Sequence, residues 1–401
     1  MKNSFLRLSV SLAIITVLGP SAIDMYLASL PDMAKELNAS PTQIQLTLTV
    51  FLLAMGLGQL VCGPIIDALG RRVPLLTAIL VFTVCSVWAS WSDTINMLLY
   101  ARFLQGMAAS MTLVVAISMV RDLSSGTQAA KLFALLMTIE GLAPVLAPAI
   151  GGFVDAFAGW QAVMLVLALM GLFAFINTWF NLPESLPAEK RQPLRPAAIL
   201  KTYGRLLTDR DYMLPALSLS AAFFFLFVYI GGASIIYQTS YGLTPDTFGL
   251  VFGGTGIAVL LGAVTAGRWV NTQSVPKVAL RGVLAMAAGA VVAGLSGTSG
   301  LGLPGVVAGM FIAMFGLGIA EATLMSMTMS TQKTALGSAA AVLGALQLGL
   351  SAAATPVAGW LSAHGSSHWL AFLVFCGAVV VLLTLLSIRW AKDDIEYTSA
   401  H

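Results

Sequence analysis

Long apolar runs, each closed by a cluster of charged or turn-forming residues, recur along the whole chain of 401 residues. They fall at about 8–31, 43–66, 74–92, 95–120, 130–154, 160–181, 212–236, 247–268, 278–297, 303–329, 337–361 and 367–390. The runs are too long for strands and lack period-two alternation. Each is close to the ~20 apolar residues that a helix needs to cross a bilayer. The pattern predicts an all-α membrane protein with twelve transmembrane helices, numbered 1 to 12 in chain order.

Most connections are short, which makes successive helices antiparallel neighbours. One is long and charged, from Leu182 to Asp211. It divides the chain into a six-helix bundle over 1–181, a linker over 182–211, and a second six-helix bundle with a short tail over 212–401. Ala147-Pro148-Ala149-Ile150-Gly151 in helix 5 is echoed half a chain later by Thr355-Pro356-Val357-Ala358-Gly359 in helix 11. Such repeats fit a transporter with its site between two related halves.

Composition agrees. The chain is 58% hydrophobic and 9% charged, so lipid must serve as its solvent. The formal net charge of +3 matters less than where the charges sit. With both termini placed in the cytoplasm, all of the 20 Lys and Arg residues except Lys35 and Arg102 fall on that side or at that edge. That follows the positive-inside bias. The first run continues past Val17 to Leu30 with no small-residue cleavage site, which predicts a retained helix and no signal peptide. Cys62, Cys85 and Cys376 lie inside apolar runs, spaced for neither metal nor disulfide, and read as packing residues.

Four ionisable residues interrupt the apolar helices: Asp24, Arg102, Glu140 and Glu321. Each costs at least roughly 2.5–3.5 kcal/mol near mid-bilayer, so such groups usually face a cavity or one another. Asp24 in helix 1 and Arg102 in helix 4 sit at one depth, ~10 Å below the outer surface. They are expected to face a common cavity, where changes in solvation and distance would alter the proton affinity of Asp24. A static ion pair between helices 1 and 4 is the alternative. Glu140, flanked by Thr138 and Gly141, offers a site for a cationic substrate or a second proton. Glu321 follows Gly316 and Gly318 in helix 10. A protonated carboxyl bonded to nearby backbone would account for either one. Tyr26, Phe223, Phe224, Phe225, Tyr229 and Tyr237 could line an apolar pocket with a few polar handles, or simply pack.

Several motifs resemble those of one family. Gly63-Pro64-Ile65-Ile66-Asp67-Ala68-Leu69-Gly70-Arg71-Arg72 matches the G-x-x-x-D-x-x-G-R-R signature of the major facilitator superfamily at every fixed position. Asp67 is expected at a helix N-terminus, where it would complement the dipole. The resemblance implies that it bridges the halves at the cytoplasmic side, near Gly337-Ser338, with Arg121 as a partner. Arg102-Phe103-Leu104-Gln105-Gly106 resembles the R-x-x-Q-G motif, whose arginine is tied to proton transfer in the family. Pro144, Pro148, Gly151 and Gly152 resemble the antiporter motif G-x-x-x-G-P-x-x-G-G, although Ala143 and Ala147 replace usual glycines and Pro144 is additional.

Asp24-Met25-Tyr26-Leu27-Ala28-Ser29-Leu30-Pro31, Arg121-Asp122 and Gly159-Trp160-Gln161 are similar to the Bcr/CflA branch of drug:proton antiporters. Fewer diagnostic residues lie in the C-terminal half. The resemblance implies a major facilitator fold and proton-driven export of chloramphenicol- or bicyclomycin-like drugs. Some members of the branch export nucleosides, sugars or cysteine instead.

Proton coupling is then expected at Asp24, Arg102 and Glu140. Substrate contacts are expected at Asp24, Tyr26, Gln105, Glu140, Phe224 and Glu321. The expected partners are protons, a small-molecule substrate and the lipid bilayer of a bacterial inner membrane. No cofactor, metal or nucleic acid is implied, and a monomer is expected. The chain carries no HExxH pattern or phosphate-binding G-x-x-x-x-G-K-[ST] loop. His364, His368 and His401 lie in an outer loop and the tail, which argues against an enzyme.

Overall fold

The computed structural model describes residues 2–191, 193–299, 301–332 and 335–390. Lys333, Lys392, His401 and the tail after residue 390 lie outside the described residues. Among the described residues the architecture is all helix, without strands.

Eleven helical stretches are long and apolar enough to cross a membrane. One of them, Lys131–Asn181, is 51 residues long, far beyond the ~20 that a bilayer accommodates. It breaks at Gly159, whose φ of +77° and ψ of 171° suit glycine and interrupt the helical ladder. The break divides it into helices 5 and 6, as the apolar pattern predicts. Helix 2 is Pro41–Leu69, helix 3 Arg72–Ser90 and helix 4 Ile95–Leu123. Helices 7 to 12 are Arg210–Thr239, Pro245–Trp269, Val275–Thr298, Gly302–Ser330, Leu336–Ala363 and Ser366–Arg389.

Helix 1 departs from expectation. It consists of Lys2–Thr16 and Leu18–Asp24, a 3-10 turn Leu27–Ser29, and Leu30–Glu36. A helix end leaves its last carbonyls without intrahelical partners, and in a membrane these must be satisfied by neighbours. Arg102 takes the Ala22 carbonyl (2.8 Å) and Gln238 takes that of Ala28 (2.9 Å). The connection after Asn181 is also more structured than expected. It contains an amphipathic helix, Pro196–Thr208, which buries Leu206 and donates the Tyr203 hydroxyl to the Leu60 carbonyl (2.9 Å).

The end of the molecule carrying this linker is the linker end, and the opposite one the far end. Helices preceding the linker meet those following it along two seams that begin at the far end. In one, helix 2 lies on helices 11 and 7. Gly359 abuts Pro41, Gln45 donates to the Gly231 carbonyl (2.9 Å), the hydroxyls of Thr49 and Thr355 share a hydrogen bond (2.6 Å), and Gly344 abuts Gln59. From Pro41 to Gln59 the seam runs ~27 Å. In the other, helix 5 lies on helix 8. There a side chain at Gly249 would strike Pro148, one at Gly253 Val145, and one at Gly256 both Pro144 and Val145. Small residues allow this close approach of backbones, which substitutes for a hydrophobic driving force in lipid.

Candidate coupling and substrate site

The intramembrane charges fall into two environments. Arg102 is fully buried. Its guanidinium lies over the Tyr26 ring (4.4 Å to the centroid) and the Phe51 ring (4.3 Å), and donates to the Ala22 carbonyl and to Gln105 Oε1 (2.5 Å). Gln105 Nε2 donates on to Ser86 (2.7 Å), which itself donates to the Phe82 carbonyl. One cation thus joins helices 1, 2, 3 and 4. Gly106, one residue on, brings helix 4 against the Phe51 carbonyl and Ala54. Desolvated cation–π contacts of this kind contribute roughly 2 kcal/mol.

This corrects the expectation that Arg102 and Asp24 face one cavity as charge partners. Asp24 ends the Leu18–Asp24 segment, is 5% exposed, and forms no ion pair with Arg102. The terminal guanidinium nitrogens turn elsewhere, to the Ala22 carbonyl and Gln105, while the Tyr26 and Phe51 rings pack on the group. Tyr26 is itself fully buried, its hydroxyl bonded to Thr47 (3.2 Å). Gln105 is fully buried with both amide atoms engaged. In this state neither lines a cavity, contrary to the expected substrate contacts.

Glu140 and Glu321 are only partly buried, and their carboxylates lie close enough to interact electrostatically. Helix 8 sets this proximity. Gly141, next to Glu140, abuts Leu260, while Gly318, one turn before Glu321, abuts Val259. One carboxylate comes from each side of the helix 5–helix 8 seam. Among the aromatic candidates, Phe223 and Phe224 are half-buried, with Phe224 edge-on to Phe372. Phe225, Tyr229 and Tyr237 are core residues. Tyr229 and Tyr237 pack with Trp369, and Phe252 stacks on Tyr229.

The antiporter-like motif acts as a packing device in this structure. Gly151 docks on the Met25 carbonyl, at the break in helix 1, and Gly152 on the Pro245 carbonyl of helix 8. The two adjacent glycines therefore serve two different neighbours. Their counterparts Gly249, Gly253 and Gly256 went unread in the sequence, although their spacing is a small-residue stripe that could have been noticed.

At the linker end, Asp67 occupies the last turn of helix 2 and not a helix N-terminus. The dipole there is unfavourable, and Arg71 neutralises it (2.6 Å). Arg71 also pairs with Asp122 (2.9 Å), which accepts from Ser185 (2.9 Å). Burial works against the Arg71 charge, but its bonds to Asp122 and Asp67 hold its pKa above the usual value. The start of helix 3 is capped by Glu184, a linker residue not anticipated, which accepts from the backbone N–H of Arg71 (2.8 Å) and Arg72 (3.2 Å). Desolvation raises the Glu184 pKa, and the backbone N–H groups of Arg71, Leu186, Arg72 and Ser185 more than offset this, holding it below the usual range. Gly70 permits the arrangement: its φ is +93°, and a Cβ would strike Glu184 and Arg191. Arg72 donates to the Trp179 carbonyl (2.7 Å). Arg121, the expected partner of Asp67, is exposed and outside this cluster. A Cβ at Gly63 or Gly337 would meet open space, and Asp67 pairs with Arg71 of its own half instead of bridging to helix 11 in this state.

Residues 12–235 match the sequence profile of the Major Facilitator Superfamily. The chain belongs to the major facilitator superfamily. It is 38% identical over 359 residues to the "Uncharacterized MFS-type transporter YdgK" of Bacillus subtilis, covering 88% of this chain and 89% of that protein. It is 33% identical to the "Bicyclomycin resistance protein homolog" of Haemophilus influenzae over 63% of each chain. The D-xylose-proton symporter crystal structure superposes with a TM-score of 0.76 over 98% of this chain and 99% of that one, at 17% identity. That likeness establishes the fold. This superfamily transporter is therefore a multi-pass membrane protein whose cargo is a small molecule.

Proposed function

We propose that this transporter is a proton-coupled exporter of small amphipathic drugs in a bacterial inner membrane, with both termini cytoplasmic. Residues 1–181 and 212–401 act as two six-helix bodies that rock about the seams. The observation that carries the reading is the contrast between a closed far end and a linker end where Asp67 pairs within its own half and a Cβ at Gly337 would meet open space. This is one half of an alternating-access cycle. The Haemophilus relative named for bicyclomycin resistance supports drug cargo.

Within this reading Asp24 exchanges the coupling proton. It ends the segment just before the 3-10 turn whose Ala28 carbonyl accepts from Gln238 of helix 7, so opening the far end frees the turn next to it. Arg102, held by two rings and a carbonyl, fixes helix 1 against helices 2 to 4 instead of neutralising Asp24. Glu140 and Glu321, on opposite sides of the seam, give cationic cargo a charge partner on each body, with Phe224 as an apolar contact. Gly63, Asp67, Gly70, Arg71, Arg72 and Arg121 form the linker-end gate. A dedicated exporter of a nucleoside, sugar or amino acid would use the same machinery with a different lining; uptake by symport is the less favoured direction.

The test is compound susceptibility and accumulation in an efflux-deficient host, comparing wild type with Asp24→Asn, with and without an uncoupler. The expected result is lower accumulation of some compound, abolished by the mutation and by the uncoupler. Equal accumulation of every compound with and without the wild-type protein would refute drug export. Glu140→Gln should lose cationic cargo and spare neutral cargo.

A further inference from the structure

Asp155 lies near the end of helix 5, just past the expected apolar run and one turn beyond Gly151. It is 7% exposed, and its Oδ2 is buried with no hydrogen-bond partner. The fully buried hydroxyl of Ser29, in the 3-10 turn of helix 1, interacts with this carboxyl, but at a geometry short of a full hydrogen bond. Among the described residues no cation compensates the site. The charged groups acting on it from the Leu30–Glu36 segment are the carboxylates of Asp32 and Glu36. Lys35 is engaged by Asp32 (2.8 Å), and Glu36 accepts from Trp160 (2.7 Å) and Gln161 (2.9 Å). From helix 7, Gln238 is engaged by the Ala28 and Ser234 carbonyls. From helix 8, Asp246 is held by Thr244 and the Thr247 N–H.

An ionised carboxylate enclosed here would face two like charges and no counter-ion, an arrangement that favours the protonated acid. We propose that Asp155 is a proton-binding group of the far-end gate, taking up a proton as the seam closes and releasing it as the seam opens. On closing, a proton from water on the far side adds to Oδ2, and the new O–H donates to Ser29 Oγ, satisfying two oxygens at once. On opening, helices 7 and 8 withdraw from the 3-10 turn and the end of helix 5 that they cover, water reaches the carboxyl, it ionises, and the proton returns to the far side. Asp155 thus links far-side pH to gate position, separately from any proton carried by Asp24. The inference rests on the far end being a gate, and it holds for drug and metabolite cargo alike.

Stabilising the closed gate by protonation means that raising pH favours the open form. The experiment is spin-label distance measurement between Asn96→Cys and Ser367→Cys, both at exposed far-end positions, with Cys62, Cys85 and Cys376 replaced. The protein is held in nanodiscs from pH 5 to 8.5. The expected result is a longer far-end distance as pH rises. Asp155→Asn should lose this response and keep the short distance. Ser29→Ala, which removes the hydroxyl that receives the proton, should move the midpoint without abolishing the response.

Asp24→Asn should leave the response intact even though transport is lost, which separates failure of this inference from failure of the coupling role given to Asp24. The proposal is overturned if Asp155→Asn retains the wild-type midpoint and amplitude, if wild type shows no pH response, or if Asp24→Asn alone abolishes it.

Discussion

Near the far end, helices 5 and 8 meet at glycine after glycine, with backbone against backbone and Asp155 buried close by. At the linker end, charges are dense, and the ion pairs of Arg71 with Asp67 and Asp122 and of Arg191 with Glu184 stay on the helix 2–helix 4 side and the linker. The difference shows how one fold can hold two gates of unlike chemistry. A glycine seam depends on shape and tolerates no added atoms. A charged gate can exchange partners, so the side chains that pair locally in this state remain available to pair across the gap in the other.

The largest expected effect comes from filling the seam. Gly152→Leu would drive a side chain into the Pro245 backbone, and Gly249→Leu into Pro148. Overpacking of this kind costs about 1–3 kcal/mol or more, so far-end closure and export should fall roughly tenfold to hundredfold. Gly337→Leu meets open space in this state, and should block only the opposite closure. Equal tolerance at Gly152 and Gly337, measured as transport in monodisperse protein, would erase the distinction between the gates.

Accessibility sharpens the same comparison. A cysteine at Gly337 should react with a membrane-impermeant maleimide from the linker side at least about tenfold faster than one at Gly359, which faces Pro41 and Gln45. A smaller effect concerns the Arg102 enclosure. Arg102→Lys keeps the charge but loses the planar group between Tyr26 and Phe51, and should cost about 1–2 kcal/mol in thermal stability. If the loss came from charge alone, lysine would be neutral there.

The smallest effect is expected at Glu184. Its carboxyl caps helix 3 and titrates below the usual range. The stabilisation is therefore present above the unfolded value of about 4.3 and is lost as pH falls through the lower folded value. Glu184→Gln should lower the melting temperature at pH 7 by an amount matching about 1 kcal/mol, and the gap should close as pH falls through the lowered Glu184 value.

Much of this architecture was legible in the chain, because the bilayer imposes a simple rule on helix length and apolarity. The helix 5–helix 6 boundary followed from Gly159-Trp160, and the signature at Gly63–Arg72 located the linker-end cluster. What escaped were contacts decided by tertiary packing. Depth along a helix put Asp24 and Arg102 level, but depth says nothing about azimuth, and the terminal guanidinium nitrogens turned to the Ala22 carbonyl and Gln105. Asp67 falls in the last turn of helix 2 and not at a helix start, because the helix continues to Leu69 and ends at Gly70. The broken helix 1 carried local signs that went unread, since Pro20 cannot donate to the Thr16 carbonyl and Pro31 opens the Leu30–Glu36 segment; the freed carbonyls of Ala22 and Ala28 make sense only once Arg102 and Gln238 are seen to use them. Asp155 sat at the edge of an apolar run, where an acidic residue reads as ordinary solvent exposure.

The most direct test of proton-driven export is proton movement in proteoliposomes carrying a pH-sensitive dye, with bicyclomycin and chloramphenicol as the added compounds. The account predicts compound-triggered proton flux in wild type and at least about tenfold less in Asp24→Asn, a change of roughly 1.4 kcal/mol or more in the coupled step. Undiminished proton flux in Asp24→Asn would contradict the coupling role of that carboxylate, and no flux with any compound in wild type would contradict proton-driven drug export itself.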